Sequence, residues 1–159
     1  MEGPRSAFLV IDVSPTIKEV KRVLDRATPT QEKMTKANEA AATFLFGWVM
    51  RNFESSGGQL RDGLWKPLSP KYLKWKTGKG WSSKPLIRTG NLRQSFSMYW
   101  GHNYAGVGAR ASFGVDYAVV HEYGSATVPQ RRMLPRVEEV QVRLKAIYRG
   151  MLTGQWEGP

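Results

Sequence analysis

The spacing of apolar positions changes several times along the chain, and each change marks an expected element. Ala7 to Val13 (AFLVIDV) concentrates β-favouring side chains and closes at Ser14-Pro15, which predicts a short strand followed by a turn. Ile17, Val20, Leu24 and Ala27 then recur at helical spacing until Pro29, predicting an amphipathic helix from Thr16 to Ala27. Thr30 can cap a second, longer helix reaching Phe53. Its buried stripe is Met34, Ala37, Ala41, Leu45, Trp48 and Phe53, with Phe44 on the flank. Ser55, Ser56, Gly57 and Gly58 end that helix, because extending it through such free backbone is costly.

From Gln59 to Arg88 the periodicity is lost. Gly63, Pro67, Pro70, Gly78, Gly80 and Pro85 punctuate a stretch holding Trp65, Trp75, Trp81 and a series of Lys and Arg, which reads as an extended arm. Within it Ser69 can cap a helical turn through Lys71, Tyr72, Leu73, Lys74, Trp75 and Lys76, a basic and aromatic surface that is hard to bury. Short apolar and aromatic stretches between Ser95 and Tyr117 alternate with Gly and Asn, predicting a meander of two or three strands. Tyr117 to Tyr123 (YAVVHEY) can form two helical turns stopped by Gly124, and Pro129 and Pro135 bracket a loop. Val137, Val140, Leu144, Ile147 and Met151 then mark a C-terminal amphipathic helix fraying near Gly154.

These elements predict an α+β fold, with two N-terminal helices and a C-terminal helix packed on a small, mostly antiparallel sheet and a projecting Trp/Lys-rich arm. At 159 residues a single domain over 1–159 is expected, with 1–29 as a strand-helix extension and 59–88 as the arm.

Charge adds a constraint that periodicity does not carry. With 24 Lys and Arg against 13 Asp and Glu, the net charge of +11 calls for a polyanion or acidic surface nearby, for solubilising display, or for neutralisation by acidic neighbours in an assembly. The absence of Cys excludes disulfides, thiolate metal sites and cysteine nucleophiles. The apolar run Ala7 to Ile11 is too short for a signal or a membrane span, so a soluble, cytosolic product without membrane contact is expected.

Catalytic patterns find little support. His102 and His121 are the two histidines, and His121-Glu122 lacks the second His of a metalloprotease pattern, which favours a structural His121. The glycines of Gly106-Val-Gly108-Ala-Arg-Ala111 sit among expected strands with no helix behind them, unlike a dinucleotide loop. Gly78-Lys79 lacks the upstream Gly of a phosphate-binding loop, and Gly80 stands where a magnesium-binding Ser or Thr belongs. The acidic residues are too scattered for a two-metal nuclease. No enzyme, cofactor or metal is expected. The arm could stack on single-stranded nucleic acid or anchor a protein interface, since Trp, Tyr and Arg suit both.

Three segments in order resemble the phage virion morphogenesis family, the tail-completion or neck proteins of tailed phages. The first runs from Phe53 through Trp65-Lys66-Pro67-Leu68-Ser69. The second is Pro85-Leu86-Ile87-Arg88-Thr89-Gly90-Asn91-Leu92-Arg93-Gln94-Ser95. The third is Val115-Asp116-Tyr117-Ala118-Val119-Val120-His121-Glu122-Tyr123-Gly124 followed by Val128-Pro129-Gln130-Arg131-Arg132-Met133-Leu134. The resemblance covers Thr30 to the C-terminus. Glu122-Tyr123 replaces a usual Gln-Phe, and Arg132-Met133 a usual Pro-Phe. It implies a virion protein present in the host cytoplasm during assembly. There it would form a homo-oligomeric ring around the DNA channel, contacting other neck, connector and tail proteins and possible genomic DNA. Thr89, Gly90, Leu92, Tyr117, Ala118, His121, Gly124 and Pro129 are then scaffold, with Gly90 and Gly124 at backbone turns and Tyr117, Ala118 and His121 on one core-facing side of a helix. Trp65, Tyr72, Trp75, Trp81, Arg131 and Arg132 are the expected partner contacts, with a salt bridge inside the monomer the alternative for the two arginines.

Overall fold

The computed structural model describes residues 17–21, 30–110 and 117–155. The expected strand Ala7 to Val13 lies outside them, as does most of the helix expected from Thr16 to Ala27, of which residues 17–21 are helical. The longer elements that follow are α1 (Gln31–Glu54), α2 (Pro70–Gly78), α3 (Asn91–Ser95), β1 (Phe96–Trp100), β2 (Ala105–Ala109), α4 (Tyr117–Tyr123) and α5 (Val137–Thr153). β1 and β2 pair as an antiparallel hairpin, so the fold is α+β. A third meander strand would fall in 111–116, outside the described residues.

The chain divides into two compact units. One comprises the described residues within Trp48–Ser97 and Gly108–Leu134, the other those within Val10–Gly47, Met98–Val107 and Pro135–Pro159. α1 and the hairpin contribute residues to both.

α1 begins where Thr30 places its hydroxyl 3.3 Å from the Lys33 N–H, satisfying a donor that the first turn leaves free. All six residues of the expected stripe are buried, and Asn38, Ala42, Val49 and Asn52 widen it. The helix closes as the serine-glycine cluster predicts. Ser56 adopts a left-handed φ of 53°, its N–H donates to Phe53 O, and the Gly57 N–H reaches back to Asn52 O at 2.9 Å. Gly57 has φ 95°, and a Cβ there would lie 2.7 Å from both the backbone N and Cδ1 of Trp65, so a side chain is excluded twice over.

In the second unit, α5 turns Val140, Leu144, Ile147 and Tyr148 inward, while Val137 is exposed and Met151 half-buried. Glu139 accepts from the Arg136 N–H at 2.8 Å, and Glu138 and Glu139 face the positive end of the helix dipole. Lys145 meets Glu19 of the 17–21 turn at 2.9 Å. The unit's buried polar centre is Asn38, which is fully buried. Its amide donates to Gly101 O at 2.6 Å and His102 O at 2.9 Å, while its oxygen accepts from the Tyr148 hydroxyl at 2.7 Å. One side chain thereby fixes the hairpin turn and α5 against α1. Burial pushes the Tyr148 hydroxyl well above the ordinary tyrosine range, keeping it a donor. Gly106 is glycine for space, since a Cβ would meet the Tyr99 ring at 2.7 Å.

Asn38→Ala strands the Tyr148 hydroxyl and two carbonyls together and is expected to cost about 2–3 kcal/mol, against about 1 kcal/mol for Tyr148→Phe. Urea unfolding measures both; equal losses would contradict the central place given to Asn38.

Candidate partner-binding surface

The first unit is organised by a short irregular segment, Arg131 to Leu134, whose residues are all buried. Buried loop backbone has no neighbouring strand to pair with, so side chains must supply its hydrogen bonds. Asn52 of α1 donates its amide to Arg132 O and Met133 O, both at 3.2 Å. The Trp65 indole N–H donates to Arg132 O at 2.8 Å. Glu122 of α4 accepts the Met133 N–H at 2.6 Å and the Leu134 N–H at 3.2 Å on one carboxylate oxygen. The Arg131 N–H donates to His121 O at 2.7 Å. The apolar wall beside this segment is Phe53, whose ring lies 5.5 Å from those of Trp65 and Phe96 in edge-on contacts.

This geometry corrects three of the expected partner contacts. Trp65 is 6% exposed and belongs to the core of its unit. Arg131 and Arg132, each 7% exposed, turn inward as well. Arg131 forks onto Lys66 O at 3.0 Å and Pro67 O at 3.3 Å. Arg132 donates to Leu134 O and meets Asp62 at 3.3 Å, the intramolecular pairing left open as the alternative. The forked guanidinium that suits a partner's carboxylate also suits a pair of adjacent carbonyls. The expected projecting arm is accordingly pinned at its base, and again where the Lys84 ammonium donates to Glu54 O at 2.7 Å.

Beyond those anchors the arm carries the remaining expected contacts. Ser69 caps α2 by accepting the Tyr72 N–H at 3.4 Å, with Pro70 at the first helical position, as the sequence predicts. Tyr72 and Trp75 are 40% and 45% exposed, and Trp81 is half-buried. Their rings run in series: Tyr72 to Trp75 at 5.4 Å, Trp75 to Trp81 edge-on at 5.3 Å, and the Arg88 guanidinium 5.3 Å above Trp81. Lys76 is instead fully buried and donates to Lys84 O at 2.6 Å. Burial, with Arg88 and Arg131 nearby, lowers its pKa from the usual lysine range.

The expected scaffold residues fall as follows. Gly90 has φ 87° at the start of α3, where Thr89 is exposed and Leu92 half-buried. Gly124 ends α4 with φ 76°, and a Cβ there would press on the Gln130 backbone at 3.0 Å. Pro129 is half-buried. In α4 the buried residues are Ala118 and Glu122, four apart on one stripe, which leaves Tyr117 50% exposed and His121 half-buried. The core placement expected for Tyr117 is therefore corrected. Asn52 and Glu122 are the residues sequence reasoning missed. Asn52 lies on the apolar stripe of α1, at helical spacing from Trp48 and Val49, which was the available signal.

Among the described residues no group of three acidic, His or Cys side chains could hold a metal, and no helix is long and apolar enough to cross a membrane. Residues 16–152 match the model of the phage virion morphogenesis family, so the match begins earlier than Thr30 and takes in the 17–21 turn. No curated protein and no solved structure matches the chain.

Trp65→Ala removes both the Phe53 contact and the bond to Arg132 O and is expected to cost about 3–5 kcal/mol, read by thermal or urea unfolding. His121 supplies a pH dependence. Burial, reinforced by Arg131, depresses its folded pKa below about 6.5, so the unfolded chain binds the proton more readily. Its contribution is full above that pH and is lost as pH falls through the depressed value. His121→Gln should flatten the stability profile on that acidic limb, and an unchanged slope would count against the assignment.

Proposed function

Because the chain belongs to the phage virion morphogenesis family, we propose that it is a structural subunit of the neck, forming an oligomeric ring that joins or completes the tail. Membership itself carries a role in building the virion. The single observation behind the finer reading is the match over 16–152, which takes in residues of both compact units. In this reading the subunit binds copies of itself and neighbouring neck, connector and tail proteins, and catalyses no reaction. The net charge of +11 supports a place beside DNA in the channel or beside acidic neighbours, and it also favours the rival reading of a free nucleic-acid-binding protein.

Electron microscopy of particles made by a phage or prophage with this gene disrupted tests the proposal. Filled heads and unattached or aberrantly ended tails are expected to accumulate. Intact infectious particles would overturn the neck role and leave DNA binding as the leading reading.

A further inference from the structure

Most of the arm of the first unit belongs to a stretch whose charge distribution sets it apart from the rest of the chain. From Gly63 to Arg110 there are nine Lys and Arg and no Asp or Glu, so this stretch alone carries +9 of the net +11. In its midst lies the ring series Tyr72, Trp75 and Trp81, with Lys71, Lys74 and Lys79 exposed around it. Two further cations beneath the surface, Lys76 and Arg131, are bound to carbonyl oxygens, and among the described residues neither has a carboxylate partner.

We propose that the Tyr72 and Trp75 face of α2, with its lysine rim, is a docking site for an acidic segment of a different protein chain that also carries apolar or aromatic side chains. Three observations select this occupant. First, an exposed aromatic centre inside a charged rim has the anatomy of a protein interface, with desolvated anchors surrounded by polar contacts. Second, base stacking needs open ring faces. Here Trp75 is flanked by Tyr72 and Trp81, and the Arg88 guanidinium lies over Trp81, so part of the ring surface is already taken up by these contacts. Third, a second copy of this chain brings the same +11, so its net charge opposes approach to this basic face.

The site deepens the assembly reading and rests on it. Its test uses the full chain and four fluorescein-labelled probes: a random copolymer of glutamate and tyrosine, polyglutamate of equal length, a single-stranded thymidine oligonucleotide and a short DNA duplex. Fluorescence anisotropy should show the copolymer binding about tenfold more tightly than polyglutamate or either DNA, since one desolvated aromatic anchor is commonly a tenfold effect. Trp75→Ala should lose about that factor with an unchanged circular dichroism spectrum, and Lys74→Glu should weaken both acidic probes. Equal binding of copolymer and polyglutamate, tighter binding of DNA, no binding of any probe, or a silent Trp75→Ala would each overturn the proposal. The two readings fail separately. If gene disruption blocks assembly but a Tyr72→Ala, Trp75→Ala gene restores infectious particles, the docking site falls and the neck role stands.

Discussion

Buried backbone without a neighbouring strand is the constraint on which the first unit depends. Arg131 to Leu134 cross its interior as an irregular segment, and their polar groups are answered by Asn52, Trp65 and Glu122 from three separate parts of the chain. Unmet, such groups would each cost about 1–3 kcal/mol. Satisfying them fixes where α1, the base of the arm and α4 meet. The second unit repeats the device with Asn38, which binds the hairpin turn and α5 from its place on α1. Both asparagines are buried on the stripe of the same helix, and each makes polar bonds where an apolar residue would supply packing alone.

That arrangement gives the family's motifs a physical meaning. The segment around Trp65 and the segments around Glu122 and Arg132 lie far apart in sequence but meet at one set of hydrogen bonds. Glu122 supplies one carboxylate oxygen that accepts both the Met133 and Leu134 N–H groups. Gly124 ends α4 so that Gln130 can approach and the chain can return through the core. Motif residues expected at a partner surface thus hold the unit together, and the exposed side chains of the arm are left to meet whatever lies outside.

Elements governed by short-range rules were legible in advance. Periodicity and the Thr30 cap located α1, Ser69 located α2, Gly124 the end of α4, and the spacing of Val140, Leu144 and Ile147 located α5. The resemblance, carried by motif order, anticipated the family. Misplaced were Trp65, Arg131 and Arg132, because composition says that Trp and Arg favour interfaces without saying which of them folding will consume, and Tyr117, because helical spacing groups residues without saying which of them turns inward. Trp75 and Trp65 are alike in that respect, yet one is 45% and the other 6% exposed.

The sequence by itself determined α1, α2, α4, α5, the hairpin, the absence of cysteine chemistry and the strong positive charge, since each follows from residue type and spacing over a few turns or from counting. Only the tertiary structure decided which polar and aromatic side chains turn inward. That choice depends on where unpaired carbonyl and amide groups of Arg131 to Leu134 come to lie, and their partners are drawn from positions as far as 81 residues apart. No local pattern encodes such a distance; it is set by the need of buried backbone N–H and C=O groups for partners.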